Sequence, residues 1–486
     1  MLTYNMNSKN MKVNICLILL VTTLFGHTVS AQPNQKSRVV ILSDIEAEPD
    51  DLESFVRLLL YSNVIDLKGL VATTSVWKKT SVAPESIKKI VRAYGKVQPN
   101  LIKHEPGFPK VETLLGLVKQ GLPKYGMLGV GDGQDSEGSE WIIKVLEEKD
   151  ERPLWVSVWG GVNTLAQALD KIKKTRTEAE AKKLIAKLRV YTISDQDDSG
   201  IWIRNNFPDL FYIVNPGDNY GTATWSAINT FVKGINNEKI SNSWIAQNIQ
   251  QGHGALGAVY PDVAWGMEGD TPSYLGLIPN GLNAPEHPEW GGWGGRYELY
   301  KPDFSKEKKG NSGVPFETET RPIWASATDS YTPYLPSEYG RAVKKDTATF
   351  TSNKASLWRW RDDFQNDFAA RMDWCVKPYA EANHPPVPVL DHAEEFTVKS
   401  GQGFALDADS STDPDGDNLS FLWFYYPEAS TYKKPINMGA ENVHGVYVTA
   451  PQVDKQETLH FILKLTDKGT PALSRYKRVI VKVLPK

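Results

Sequence analysis

The sequence predicts an α/β fold, a mostly parallel sheet with flanking helices, followed by a C-terminal immunoglobulin-like β-sandwich. Three observations predict it: β-rich runs alternate with amphipathic helical segments over residues 38–193, a Pro-rich break at 383–388 ends that pattern, and short strands between turn residues fill the remainder. A chain of 486 residues also exceeds what one hydrophobic core usually supports, so more than one domain is expected.

In chain order, Lys9 and Lys12 precede an apolar run at 15–25, and Val29 and Ala31 supply the small residues of a cleavage site. Residues 1–31 therefore read as a signal peptide, with cleavage near Ala31 and a secreted or periplasmic product. The run is short for a membrane span, and no later segment matches one, so no transmembrane segment is expected. Cleavage removes Cys16 and leaves Cys375 alone, which excludes an intramolecular disulfide.

Residues 38–42 and 67–73 read as strands, and 51–61 and 84–94 as helices, which is the βαβ pattern. It continues with a helix at 138–148, a strand at 154–159, a helix at 163–173 and a strand at 188–193. In such sheets ligands gather at the carboxyl ends of the strands. A late helix at 364–379 carries Trp358, Trp360, Phe364, Phe368 and Trp374 on or near it at core-like spacing. Asn383-His384-Pro385-Pro386-Val387-Pro388 then reads as a linker. It divides a first domain at 36–384 from a sandwich at 385–486, whose strands are expected at 404–406, 419–425, 445–448, 458–466 and 476–483. Asp413-Pro414-Asp415-Gly416 within the sandwich reads as a turn rather than an EF-hand, because no glutamate closes the loop.

A net charge of −3 excludes the strongly basic face that nucleic acid requires. Fifteen Trp and twenty Tyr are more than a core needs, and exposed aromatic faces are what sugar rings stack upon. The chemistry centres on the loop after the first strand, where Asp44, Glu46, Glu48, Asp50 and Asp51 place five carboxylates within eight residues. Crowded there they repel one another, and a bound cation is the simplest reason for them; oxygen ligands without clustered Cys or His select calcium before magnesium and exclude zinc. The other reading is a solvated acidic loop with Asp50 and Asp51 favouring the start of the next helix.

The pattern Asp44-x-Glu46-x-x-x-Asp50-Asp51 after an apolar strand resembles the Asp-x-Asp-x-x-x-Asp-Asp opening of the nucleoside hydrolases. The strand ending in Gly160-Gly161 before Asn163 is similar to that family's second metal-site segment. The likeness is nearer still to bacterial cellulose-binding proteins with a nucleoside-hydrolase-like N-terminal domain and an immunoglobulin-like C-terminal domain. Residues 194–200, 267–273 and 286–297 carry it, in order. The resemblance implies that Glu46 binds calcium and activates water, that Asp51, the Trp159 carbonyl and Asp270 complete the metal site, and that Asp50 grips sugar hydroxyls. Asp44 would orient the loop from behind, with Glu268 beside Asp270 at the substrate. Attack of water on an oxocarbenium-like carbon would then invert configuration. Two departures weigh against nucleoside cleavage: Thr73-Thr74-Ser75-Val76-Trp77 replaces the family's asparagine, and Gly269 stands where its acid histidine precedes the late aspartate.

Asp197, Asp198 and His287 are candidate acids by location, each also readable as structural. Trp202, Arg204 and Asn205 follow a strand end and are placed at the same mouth. Trp293, flanked by glycines, is a candidate aromatic platform or a buried turn residue, and Arg296 a candidate bidentate clamp on a sugar. Three functions follow: a secreted calcium-dependent hydrolase of a glycosidic or N-ribosidic bond, a cellulose-binding protein that keeps the fold without turnover, or a module that presents its sandwich to a partner. The sequence does not choose the sugar or the oligomeric state.

Overall fold

The computed structural model describes residues 35–215, 224–303, 313–314, 318–335, 344–345 and 348–486; the segment read as a signal peptide lies outside the described residues. Residues 36–486 form one compact unit. Its centre is an eight-stranded sheet built from β1 (Arg38–Ser43), β2 (Asp66–Ala72), β3 (Val118–Gln120), β4 (Leu154–Val158), β5 (Leu188–Ser194), β6 (Phe211–Asn215), β7 (Tyr297–Tyr300) and β8 (Ile323–Ser326). The order is β3-β2-β1-β4-β5-β6-β8-β7, parallel except for the antiparallel β7–β8 pair.

β1 is central and buried at every residue, because helices cover both of its faces and an uninterrupted apolar run suits such a position. Alternation assigns the faces. Val39 and Ile41 pack with Phe55 of α1 (Asp50–Leu60) and Ile87 of α2 (Pro84–His104). With α3 (Val111–Leu117) between them in the chain, α4 (Glu137–Leu146) and α5 (Asn163–Thr175) lie on the other face, where Val40 and Leu42 meet Ile142 and Leu165. The chain runs outward from β1 to β3, then returns to β4 on the opposite side of β1, so the carboxyl ends of β1 and β4 form the switch point at which ligands of such sheets bind.

Helices α6 (Glu178–Ala186) and α7 (Ser199–Asn206) follow, then the single-turn helices α8 (Asn242–Ile245), α9 (Gly254–Gly257), α10 (Pro272–Leu275) and α11 (Ala355–Trp358). The late helix α12 spans Arg361–Asp373, earlier in the chain than the apolar spacing predicts. Two short antiparallel pairs, β9 (Asp329–Tyr331) with β12 (Phe350–Ser352) and β10 (Tyr334–Leu335) with β11 (Lys344–Lys345), lie before it.

The C-terminal strands are β13 (Glu395–Lys399), β14 (Gly403–Asp407), β15 (Ser420–Tyr425), β16 (Gly445–Thr449), β17 (Glu457–Thr466) and β18 (Ser474–Leu484). They form a β13-β18-β17-β15 sheet and a β14-β16 sheet around a core that includes Trp423, Leu406 and Phe461, consistent with a β-sandwich. The predicted linker is not a free tether. Asn383 and His384 are buried, with Asn383 Nδ2 donating to Asp467 and His384 Nδ1 against Asp415 at 2.9 Å. Asp363 of α12 accepts from Lys464 (2.6 Å) and from Tyr476, and Asp367 pairs with Arg475 at 2.6 Å, so charged contacts from β17 and β18 fasten the sandwich to the last helix. Among the described residues no helix is long and apolar enough to cross a membrane.

Candidate functional site

β1 ends at Ser43, and the loop 44–49 turns into α1, whose first turn begins with Asp50 and Asp51. The unpaired amides and positive dipole of a helix start favour carboxylates there. Asp270, just before α10, meets them: oxygens of Asp50, Asp51 and Asp270 lie within 4.8 Å of one another, and all three side chains are buried. Donors reach only part of the cluster. Ser43 Oγ donates to Asp51 at 2.5 Å, and Trp225 Nε1 and the Asp51 amide donate to Asp50 at 2.7 and 3.1 Å. The Asp270 carboxylate accepts no hydrogen bond from any described residue.

The electrostatics record the crowding. Burial, then Glu48, push the Asp50 carboxyl up to about 7 against the pull of Trp225. Asp51 is raised well above the usual range by burial, then by Asp44 and Asp50, and Asp270 by burial, then by Asp50, Asp51, Asp44 and Glu48. Glu48 and Asp44 are raised too, each first by burial. Buried carboxylates that displace one another upward, one of them without a donor, fit a hard cation held by oxygen. This triad could hold a metal ion.

Of the residues expected at the site, Asp50, Asp51 and Asp270 are brought together, and Asp44 stands behind them against Gly160. Trp159 is buried on Phe55 and Tyr274, and its carbonyl accepts from Gln196 Nε2. Glu46 is elsewhere: a backbone φ of +79° turns its side chain outward, where Lys78 Nζ pairs with it at 2.8 Å and Ser86 Oγ donates at 2.5 Å. Glu48, two residues on, faces the cluster instead.

The expected substrate groups disperse. Glu268 is fully buried, paired with Arg57 and accepting from Tyr260 at 2.9 Å, so its charge is spent inside the core. Trp293 is fully buried between Phe364 and Tyr476, a core residue rather than a platform. Arg296 is held by Asp329 (2.6 Å), Glu298 (2.7 Å) and the Thr328 carbonyl (2.8 Å). Arg204 is buried between Asp195 and Glu319, and Asn205 accepts from Thr320 on the exterior. Asp197, raised to about 6 by burial, accepts from Ser199 and from the Asn163 amide, and Asp198 accepts from the Met127 amide, so both hold turns. Trp202 packs on Phe207, and His287 stacks on Trp290 at 3.9 Å.

One residue of the site, Trp225, was passed over in the sequence, and so was a strained neighbour of its loop, Trp265. Trp225 carries no signal beyond being aromatic, since its role depends on a loop 175 residues from Asp50. Trp265 is 86% exposed at φ +66°, beside Gly266, which packs against the Trp225 ring. A bulky residue at positive φ is strained, and such strain gathers at functional loops.

Comparison with known proteins gives the family and agrees with the fold. Residues 38–297 match the family described as cellulose-binding Sde182, nucleoside hydrolase-like domain, and residues 403–483 match the cellulose-binding protein Sde0182 C-terminal domain. A solved structure of a nucleoside hydrolase-related hypothetical protein from Saccharophagus degradans, associated with carbohydrate metabolism, is 34% identical over 92% of this chain and 100% of that one, with a TM-score of 0.77. The effector protein XOO4466, at 9% identity, a TM-score of 0.28 and coverage of 60% of this chain and 88% of that one, carries no argument. No protein with a curated description matches. With the same two domains matched in the same order, the chain belongs to the cellulose-binding Sde182 family with a nucleoside hydrolase-like domain.

Proposed function

We propose that the chain is a secreted, calcium-dependent hydrolase of a glycosidic bond in carbohydrate, working at the carboxyl ends of β1 and β4. The observation that carries this reading is the buried triad of Asp50, Asp51 and Asp270, with an Asp270 carboxylate that has no donor among the described residues. The family description names cellulose and the Saccharophagus relative is associated with carbohydrate metabolism, which supports a glycan over a nucleoside. Gly269 before Asp270, in place of an acid side chain, supports the same choice.

Calcium at the triad would supply a polarised, positioned water. Glu48 is half-buried at the loop, raised first by burial and then by Asp44, and is the carboxylate we assign to take a proton. Asp50, fixed by Trp225 and the Asp51 amide, faces a sugar hydroxyl. Trp265, exposed and in the loop that leads to Asp270, is the ring we assign to a pyranose face. Water attacks as the glycosidic C–O bond breaks, Glu48 takes the water's proton and the departing sugar oxygen takes one from solvent, and displacement without a covalent intermediate inverts the anomeric carbon.

The test is sugar release from cellulose, cello-oligosaccharides and other plant and algal glycans, with inosine and uridine beside them, in calcium and in chelator. Release in calcium that chelator and Glu48→Gln both abolish is expected; product from nucleosides alone returns the chain to nucleoside chemistry. A second reading, binding without turnover, is favoured by Glu46, because the residue in the water-activating position is spent on Lys78 and Ser86. Glycan binding with no sugar released decides for it.

A further inference from the structure

We propose that a cleft between the α/β part and the sandwich is a second saccharide-binding site, sharing no residue with the carboxylate site. The cleft measures about 420 Å³ and is lined by Tyr331, Tyr334, Trp358 and Trp360 on one side and by Leu422, Phe424 and Lys464 of the sandwich on the other. That volume falls within the roughly 300–1,000 Å³ of small-molecule sites. Tyr331 and Trp358 meet edge to face at 5.7 Å, so the rings form an aromatic corner: Trp358 and Trp360 are buried behind it, and the half-buried Tyr331 and Tyr334 present ring area to the cleft.

The corner is preformed. Arg359 lies over the rings of Tyr331, Trp360 and Tyr426 at 4.6–4.9 Å and pairs with Asp329. Arg361 is buried and donates to the carbonyls of Ile228, Thr230 and Asn236 and to the Asn237 side chain. Neither side chain has to reorganise for a ligand to enter, which keeps the ordering cost of binding low.

What the cleft leaves unspent defines the ligand. Tyr331 Oη, Trp358 Nε1 and Asn236 Nδ2 donate to no described residue, and the exposed Asp362 carboxylate accepts from none. A purely apolar ligand would leave those three donors unmet, which disfavours it. A phosphate would meet Asp362, while the one lysine of the cleft, Lys464, is already paired with Asp363 at 2.6 Å. A neutral polyhydroxyl with flat C–H faces satisfies both halves: a face on Tyr331 or Tyr334, hydroxyls to the unmet donors and to Asp362. The inference rests on the carbohydrate reading above only for its choice of probe, a soluble cello-oligosaccharide.

The experiment is calorimetric titration of the full chain with cellotetraose, in the unsubstituted protein and in an Asp270→Asn background that disables the carboxylate site. Binding is expected to persist in Asp270→Asn and to weaken roughly tenfold or more when Tyr331→Ala removes an aromatic face in that background. Asp362→Asn, at an exposed position, should weaken it severalfold without threatening the fold, and thermal melts confirm that each variant is folded. Binding that survives both cleft substitutions unchanged, or that Asp270→Asn alone abolishes, overturns the second site and leaves the carbohydrate reading standing. No binding to any form overturns both.

Discussion

Replacing Asp270 with asparagine should shift stability in opposite directions in the presence and absence of calcium. The scale comes from Asp50, whose carboxyl is pushed from an ordinary 3.8 to about 7 while 3% exposed, too deep for solvent to screen. At about 1.4 kcal/mol per unit that displacement is worth about 4 kcal/mol. Its folded value lies above its unfolded one, so the contribution is fully present below pH 3.8 and is lost as the pH climbs to about 7. Asp270 is raised well above its usual range, by burial and then by Asp50, Asp51, Asp44 and Glu48, so it too carries a penalty at neutral pH. Asparagine removes that penalty and sets an amide donor beside the carboxylate oxygens of Asp50 and Asp51, so a net gain is expected in chelator. In calcium the sign reverses, because the variant loses a ligand and with it the stabilisation that binding provides. Differential scanning calorimetry just above neutral pH, in excess chelator and in excess calcium, reads both arms. A variant that melts lower than the parent in chelator, or that keeps the parent's full calcium-induced rise, refutes the reasoning.

Glu48→Gln should abolish sugar release while Glu46→Ala leaves it within about threefold, since an exposed pair such as Glu46–Lys78 is worth at most about 1 kcal/mol; initial rates under saturating calcium decide. Trp293→Ala should cost about 3–5 kcal/mol by chemical denaturation, as for a large side chain lost from a packed core, and an unchanged midpoint would return Trp293 to the list of exposed platforms. Burial alone would raise Asp367, yet Arg475 and Arg371, with the Tyr61 hydroxyl, bring it down to about 2. That depression is worth about 2 kcal/mol, fully present above pH 4 and lost as the pH falls through 2, so Asp367→Asn should flatten acid unfolding across that window in a pH-resolved melt.

The fold was legible where the pattern is local. Val39 to Leu42 are apolar on both faces, and that run forms the central strand because helices cover both sides. The short β3 and the parallel strand β13 escaped notice, since three residues, Val118–Gln120, have no period to read, and Glu395–Lys399, though it alternates polar and apolar, offers only two apolar residues at a sheet edge. At the site, Asp50 and Asp51 could be read because helix geometry fixes two adjacent residues. Glu46 could not: its direction is set by a positive φ that no side-chain spacing announces. Arg204, Glu268 and Arg296 were misplaced for a common reason. Each is a charged residue whose partner, Asp195 and Glu319, Arg57, or Asp329, comes from a distant or unremarkable stretch, and an ion pair buried that way looks in sequence like an available charge.

The choice between a metal centre and a solvated acidic loop turns on how closely the backbone closes over the charges. A methyl group built at Gly160 would lie 2.6 Å from the Asp44 carboxylate, and one at Gly161 would lie 2.3 Å from Asp197 and 2.6 Å from the Thr74 carbonyl. The loop after β4 therefore presses bare backbone onto the loop after β1, and water that would solvate Asp44 is displaced by chain. A similar approach recurs at Gly269, where an added methyl would strike Trp225 and lie 2.7 Å from Asp50. A solvated loop has no use for glycines pressed against two of its carboxylates, Asp44 and Asp50, whereas a cation site requires the wall to stand close enough that negative oxygens converge on one point. Alanine at Gly160 should then disturb calcium affinity more than it disturbs folding, because the sheet beneath is held by β1 and β4 and the metal geometry is held by the gap between their loops.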